Sequence, residues 1–456
     1  MLRERPYVFV ALGCLALAAL SLLGPHQPTY DPWAWLVWGR ELAHGHLNTV
    51  GGPSWKPLPA FFTTPFSLAG DAAPQLWLVV ARAGFLLGLA AAFRVAASLA
   101  GWVAGVVAAA GIVLCDRFLS LGLRGDSEGI LVGCALGAVV LHREGRRGAA
   151  LGAAIAACPV RPEVWPFAAL YALWLWLRGV EPARRARVGA LLVLAGLLVL
   201  AAWFIPEKVG SGSLLRGASR AREPVANSPA QSSFPFGAVF TNSSSSLAIP
   251  LYAGGFLAVG LAARAWRRAR DGAAGTVLLL AAAATAYMVI VGLLAQAGFT
   301  GNQRYVLMPA SVVCVLGGVG LVWTVRALPA RVRTAGLAVA VLGGLALAIS
   351  PGARLGRQVD RAMTETRLYD QLSDAVDAAG GPAALKRCGH IYTDPFQTQP
   401  LLWEMHLEGP AIGIRPEPPG VIVTPRRARG SADRRFAVRA LRSRWIVRAT
   451  CGVNTA

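Results

Sequence analysis

Charge is scarce in this sequence. Only 15% of its 456 residues are charged, while 55% are hydrophobic; a soluble domain carries about 25% charge. That excludes an ordinary soluble enzyme and a charge-rich disordered regulator. Lysine is scarcer still, since Lys56, Lys208 and Lys386 are the only lysines among 44 basic residues. Seven cysteines in a chain of this length are too few for a small disulfide scaffold. Also lacking are a zinc-ligand array, a nucleotide-binding glycine loop and a serine-hydrolase elbow.

What the chain does have is a series of apolar runs of the length that crosses a bilayer. The class is an all-α polytopic membrane protein. The net charge of +21 sits mostly in arginine clusters between those runs, which points to membrane topology and not to nucleic acid. Any chemistry would then use a donor already in the membrane.

The first run follows Arg3-Glu4-Arg5 and extends from Tyr7 to about Gly24. It reads as a retained helix with its basic end cytoplasmic. Further runs fall near 76–96, 102–118, 129–142, 188–204, 247–263, 274–296, 304–325 and 334–350. Basic clusters at His142–Arg147 and Arg178–Arg187 flank a stretch of roughly thirty residues. One helix there would place the two clusters on opposite sides of the membrane. A hairpin of two short helices keeps both inside, with Pro159-Val160-Arg161-Pro162-Glu163 at its apex. That apex sits ~15–20 Å from the cytoplasmic ends, within the membrane's depth. The count is about 11 transmembrane helices. Long outer loops cover 25–75 and 205–246, so residues 1–352 form the transmembrane module. Residues 353–456 have soluble composition and form a small extracytoplasmic α/β domain. An amphipathic helix fits 357–379, β-type runs fit 390–393, 421–424 and 445–447, and a helix fits 399–407. Cys388 and Cys451 lie in this tail, where an oxidising exterior lets them pair; the other five cysteines lie in or beside apolar runs.

Several polar residues stand out. In the first outer loop, Asp31-Pro32 opens a tryptophan-rich helix suited to lying at the membrane interface. Asp31 is either its N-cap or a carboxylate held at the surface as a general base. Trp35 and Glu41 lie on the same helix as pocket candidates. Lys56 either snorkels or holds a phosphate as a point charge. Asp126 and Glu128, two residues apart, form a solvated turn or hold a base or a divalent metal. Arg161 and Glu163 are a buried pair stabilising the break, or ionisable groups with a function at membrane depth. Arg304, beside Tyr305, anchors a helix at the headgroups or binds phosphate.

In this order, the residues resemble the GT-C superfamily of integral-membrane glycosyltransferases, over roughly 1–350. The first-loop acid of the family corresponds to Asp31, and its second acidic motif to Asp126-Ser127-Glu128. Lys56-Pro57-Leu58-Pro59 is similar to the Lys-Pro-Pro-Leu motif of lipid A aminoarabinose transferases, whose Lys contacts the lipid phosphate. The first acid here is followed by Pro, unlike the paired acids of protein mannosyltransferases.

The resemblance implies a multi-pass enzyme of a bacterial plasma membrane. It would move a sugar from a polyprenyl-phosphate carrier to an extracytoplasmic hydroxyl with inversion. Mannose and arabinofuranose are the expected sugars, and the acceptor is a cell-envelope glycan, lipid or protein. Asp31 would be the base, with Asp126 and Glu128 orienting the acceptor or joining Asp31 around a metal. Lys56, Arg161 and Arg304 would hold the donor phosphate, with Glu163, Tyr305, Trp35 and Glu41 lining the pocket. The alternatives are a flippase or transporter for a lipid-linked sugar, and a non-catalytic scaffold.

Overall fold

The computed structural model describes residues 5–223, 226–428 and 432–451; the side chains of residues 5, 335 and 337–351 fall outside it. The expected cytoplasmic cluster Arg3–Arg5 therefore lies almost wholly outside the described residues. The first half of the chain gives α1 (Arg5–Leu20), α2 (Tyr30–Ala43), α3 (Pro57–Phe66), α4 (Ala73–Ala100), α5 (Trp102–Leu114), α6 (Phe118–Leu123), α7 (Glu128–Arg143), α8 (Arg147–Ala157) and α9 (Trp165–Gly179). Then follow α10 (Pro182–Ser211), α11 (Arg216–Ala221), α12 (Pro235–Ser244), α13 (Ile249–Ala269), α14 (Gly272–Gln296), α15 (Leu307–Ala327) and α16 (Ala330–Asp377). The tail adds α17 (Gly381–Arg387) and α18 (Thr398–Glu404).

Each apolar run read from the sequence falls on a helix. Among the described residues, six segments are long and apolar enough to cross a membrane: Pro6–Leu23, Pro57–Ala100, Pro182–Ser211, Ile249–Ala269, Gly272–Gln296 and Gln303–Ala327. α5 and α8 are shorter apolar helices. The expected hairpin is present as α8 and α9, joined through a 3-10 turn at Pro162–Val164. Along α10, Leu191, Val193, Leu194, Leu197 and Leu198 are exposed, as suits a helix facing lipid. The chain is a multi-pass membrane protein.

Small residues bring the helices close, as packing within a membrane favours. A Cβ at Gly320 of α15 would sit 1.8 Å from the Gly254 carbonyl of α13. At the α4–α7 crossing, a Cβ at Gly84 would meet Ile130 at 2.4 Å, and one at Gly129 would meet Phe85 at 2.7 Å. That second crossing fixes where α7 begins, and so where Glu128 stands.

The two long loops expected at 25–75 and 205–246 are more ordered than their composition suggested. The first contains α2 and α3; the second contains the end of α10, α11 and α12. α2 is also not an interfacial helix. Asp31 through Gly39 are all buried, because the tail covers one side of the helix and α4 and the first loop cover the rest. Trp33 packs against Tyr369 and Trp403, Trp35 against Trp77, and Trp38 against Trp55. Arg40 donates to the carbonyls of Leu402, Trp403 and Leu407 at 2.7–3.1 Å.

The tail is α/β, as expected. Strands β1 (His390–Tyr392), β2 (Ile412–Gly413), β3 (Gly420–Pro425), β4 (Ala437–Leu441) and β5 (Trp445–Ala449) form one sheet in the order β2-β1-β3-β5-β4. β1 runs parallel to both its neighbours, and β5 is antiparallel to both of its own. The three expected β runs are β1, β3 and β5. β2 is too short to leave a pattern, and β4 is mostly exposed. Cys388 and Cys451 are joined, with Cα atoms 5.4 Å apart. No linker separates tail from membrane module, since α16 continues through residue 352.

Candidate active site

Polar residues from five separate segments converge above α7 and α15. Asp31 lies in the first turn of α2, with Thr29 at the N-cap position, and no side chain caps the helix. The carboxylate is therefore not spent on the helix end. Its Oδ2 accepts from Arg304 Nη1 at 2.6 Å. The same Arg304 nitrogen lies 3.8 Å from Asp126 Oδ1. Arg304 is thus more than a headgroup anchor, for it bridges the two acids.

Asp126 and Glu128 point to different partners. Glu128 Oε1 accepts from Arg161 Nη2 at 2.5 Å and lies 3.6 Å from Lys56 Nζ. Lys56 also donates to Ser127 Oγ at 3.0 Å and sits 5.1 Å from the Trp35 ring. Arg161 reaches Glu163 at 3.5 Å and stacks over Tyr305 at 4.2 Å. The hairpin apex thus carries a cation into the cluster.

Burial shapes the protonation of the loop residues. Burial pushes the Asp126 carboxyl up to about 8; Glu128 and Asp31 add to the rise, while Arg304 and Arg124 oppose it. The geometry agrees. Asp31 takes the short bond to Arg304, and Asp126 Oδ2 has no partner. Of the two acids beside Arg304, Asp126 is the one whose carboxyl pKa burial raises. Burial lowers the Lys56 pKa from its ordinary value, Glu128 pulls it back up, and Arg161 and Arg304 push it down.

Asp126 Oδ2, Glu128 Oε2, Arg161 Nε, Glu163 Oε2 and Arg304 Nε are all buried without a partner among the described residues. Native interiors rarely leave so many polar atoms unbonded in one place. Beside them opens a cavity of about 170 Å³, lined among others by Thr29, Asp31, Arg117, Arg124, Asp126 and Arg304. Asp31 thus faces the cavity, while Lys56 and Arg161 stand behind it in the buried half of the cluster.

A divalent metal among Asp31, Asp126 and Glu128 does not fit this arrangement. Among the described residues no three carboxylate, imidazole or thiolate groups converge to hold one. Guanidinium and ammonium groups stand where the ion would.

Glu41 is not a pocket residue. It lies about 15 Å along α2 from Asp31. Its carboxylate accepts from the backbone N–H groups of Asn48 and Gly409, each at 2.8 Å. It ties the tail to the first loop, and burial raises its pKa.

Two supports were not read from the sequence. Glu207, buried near the end of α10, accepts from Thr49 Oγ1 and from the Trp55 backbone N–H, both at 3.2 Å. Arg216 of α11 donates to the carbonyls of Val50, Gly51, Gly52 and Pro53. On the other side of Lys56, the Leu58 N–H donates to Pro159 O at 3.1 Å. Lys56 is therefore held between the second outer loop and the hairpin apex. Signal for Glu207 did exist, as an acid at the end of an apolar helix.

No family profile and no curated protein sequence matches the chain. Solved structures do. ArnT from Cupriavidus metallidurans bound to undecaprenyl phosphate superposes with a TM-score of 0.58 at 15% identity, over 99% of both chains. Its apo state gives 0.58 at 16% identity, again over 99% of both. The archaeal oligosaccharyltransferase AglB from Archaeoglobus fulgidus, in complex with an inhibitory peptide and a dolichol-phosphate, gives 0.51 at 12% identity. That match covers 92% of this chain and 70% of AglB. The chain has the fold of these solved structures.

Proposed function

We propose that the protein is a glycosyltransferase that takes its sugar from a polyprenyl-phosphate carrier. The observation that carries this reading is a pair of neighbouring charged groups, Asp31–Arg304–Asp126 and Lys56–Glu128–Arg161. It places a cavity-facing carboxylate on one side and a pair of buried cations on the other. ArnT, whose fold this chain shares end to end, binds undecaprenyl phosphate, and AglB binds dolichol-phosphate.

In the proposed reaction, the acceptor hydroxyl gives its proton to Asp31. The freed oxygen forms a bond to the anomeric carbon, the carbon–oxygen bond to phosphate breaks, and polyprenyl phosphate leaves. Attack opposite the leaving group inverts the anomeric centre. Arg304 orients Asp31 through one carboxylate oxygen and leaves the other unbonded. Lys56 and Arg161 stabilise the charge growing on the phosphate, with Glu128 holding the pair in place until the donor arrives. Protonated Asp126 donates a hydrogen bond to the acceptor. No step needs a metal.

The active face is extracytoplasmic in this reading, because the basic clusters His142–Arg147, Arg178–Arg187, Arg264–Arg268 and Arg326–Arg333 fall at the opposite ends of their helices. Mannose and arabinofuranose carried on decaprenyl phosphate are the first donors to supply. Lys56→Met tests the phosphate role. Donor turnover should fall about 10²–10³-fold in a protein that folds as wild type. Unchanged turnover removes Lys56 from the reaction.

A further inference from the structure

Beyond the cavity that holds Asp31, a second cleft lies between α16 and the β4–β5 turn. It measures about 480 Å³, within the range of ligand clefts, roughly 300–1,000 Å³. Arg357, Arg361, Thr364, Glu365 and Leu368 form one wall and Arg444 faces them. The spacings of three and four residues put the first five on one face of α16.

The charges in this cleft are unbalanced. Among the described residues, the guanidinium groups of Arg357, Arg361 and Arg444 make no hydrogen bond or ion pair. Three unpaired cations face each other across one cleft with a single free carboxylate, Asp360. The backbone on either side of Arg444 is held. Ser443 Oγ donates to Gln371 Oε1 and Trp445 Nε1 donates to the Leu368 carbonyl, both at 2.6 Å. The turn is pinned to α16 on either side of the arginine, so its charge is preorganised for an anion.

This cleft shares a wall with the Asp31 cavity. Glu365 lines the cleft, and its carboxylate accepts from Thr29 Oγ1 at 3.0 Å and Arg124 Nη1 at 2.8 Å. Thr29 and Arg124 line the cavity. Gln358, next to Arg357, accepts from the Ser120 backbone N–H at 3.0 Å. Three residues before Ser120, Arg117 enters the cavity, exposed and without a partner among the described residues, with a left-handed φ of 63°. Such a conformation is uncommon for a residue with a side chain. Free cations thus line the cleft, at Arg357, Arg361 and Arg444, and the neighbouring cavity that holds Asp31, at Arg117.

We propose that this cleft binds a negatively charged saccharide, carrying carboxylate or phosphate, as the acceptor that is led to Asp31. The proposal rests on the transferase reading and names its acceptor class. Position favours a saccharide over a lipid headgroup. The apolar run ends near 350, and α16 carries Arg357 about 10 Å and Leu368 about 27 Å beyond it.

The test uses purified protein in nanodiscs of phosphatidylcholine. Binding of trigalacturonate and of 6-phosphomannose is compared with binding of neutral maltotriose by calorimetry. At least one anionic probe should bind about tenfold or more tighter than maltotriose, and added salt should weaken it. The R357Q/R361Q/R444Q variant should lose that preference while keeping wild-type thermal stability, and Asp31→Asn should bind as wild type. Equal affinity for charged and neutral probes overturns the proposal, as does a triple variant that binds like wild type. Loss of probe binding when phosphatidylglycerol replaces part of the phosphatidylcholine also overturns it, assigning the cleft to headgroups. Basal release of polyprenyl phosphate to water, measured without acceptor, should be unchanged in the triple variant. If the wild type releases none from any donor, the transferase reading fails while the binding result stands on its own.

Discussion

Arg304 donates to Asp31 at 2.6 Å across 273 positions of sequence. This bond joins the start of α2 to the entry of α15. It turns a residue that looked like a helix cap into half of an ion pair at a cavity. The rest of the site is arranged around it, with Asp126 on the far side of the same guanidinium.

The first prediction concerns Asp126. Burial pushes its carboxyl up to about 8 in the folded protein, against about 4 in the unfolded chain. The folded state then binds the extra proton between those values, so this group's contribution is full below about pH 4 and is lost as pH rises toward 8. Thermal unfolding of wild type and Asp126→Asn, measured from pH 5 to pH 8, should show wild type losing stability relative to the variant. Parallel curves would mean that Asp126 is not the buried protonated acid.

Glu207 should act on the reaction through Lys56. It bonds Trp55, the residue before the lysine, from a helix of the second outer loop. Glu207→Ala leaves a buried N–H unbonded, at a cost of about 1–3 kcal/mol. Turnover should fall and Glu207→Gln should restore most of it, since an amide oxygen still accepts from Trp55. Equal loss of turnover in both variants would contradict a role in placing the lysine.

The Cys388–Cys451 bond reports on sidedness. Its loop spans 63 residues, and closing a loop of that size stabilises by about 4 kcal/mol on the chain-entropy account. A disulfide persists only where the compartment is oxidising. Protein purified without reductant should resist thiol alkylation at both positions and take up two labels after reduction. Labelling of both without reduction would place the tail on the reducing side and overturn the proposed orientation.

The sequence carried the fold in a physically direct way. Apolar runs announce helices, and the crowding of arginine between them announces the α8–α9 hairpin before any coordinates. The residues of the charged cluster were also visible one at a time, because an ionisable group beside an apolar run stands out. Their pairing was not. Nothing local says that Arg304 meets Asp31, or that Glu128 takes both Lys56 and Arg161, since those choices follow from helix packing. Glu41 misled for the same reason, being a buried acid whose partners, the Asn48 and Gly409 amides, leave no trace in composition. The interfacial reading of α2 failed in part because the tail that covers Trp33 lies more than 300 residues away, as the 363-residue span of the Arg40–Trp403 bond shows. Glu207 was passed over because α10 continues past the point where its hydropathy falls.

The central claim is that Asp31 removes the proton from the acceptor. The most direct measurement is release of polyprenyl phosphate, followed by mass spectrometry, from polyprenyl-phospho-sugars supplied to purified protein in lipid with anionic saccharide acceptors present. Wild type should release it, and a folded Asp31→Asn protein should release about 10²–10⁴-fold less. Equal release by the two proteins would contradict the claim and return Asp31 to a purely structural place beside Arg304.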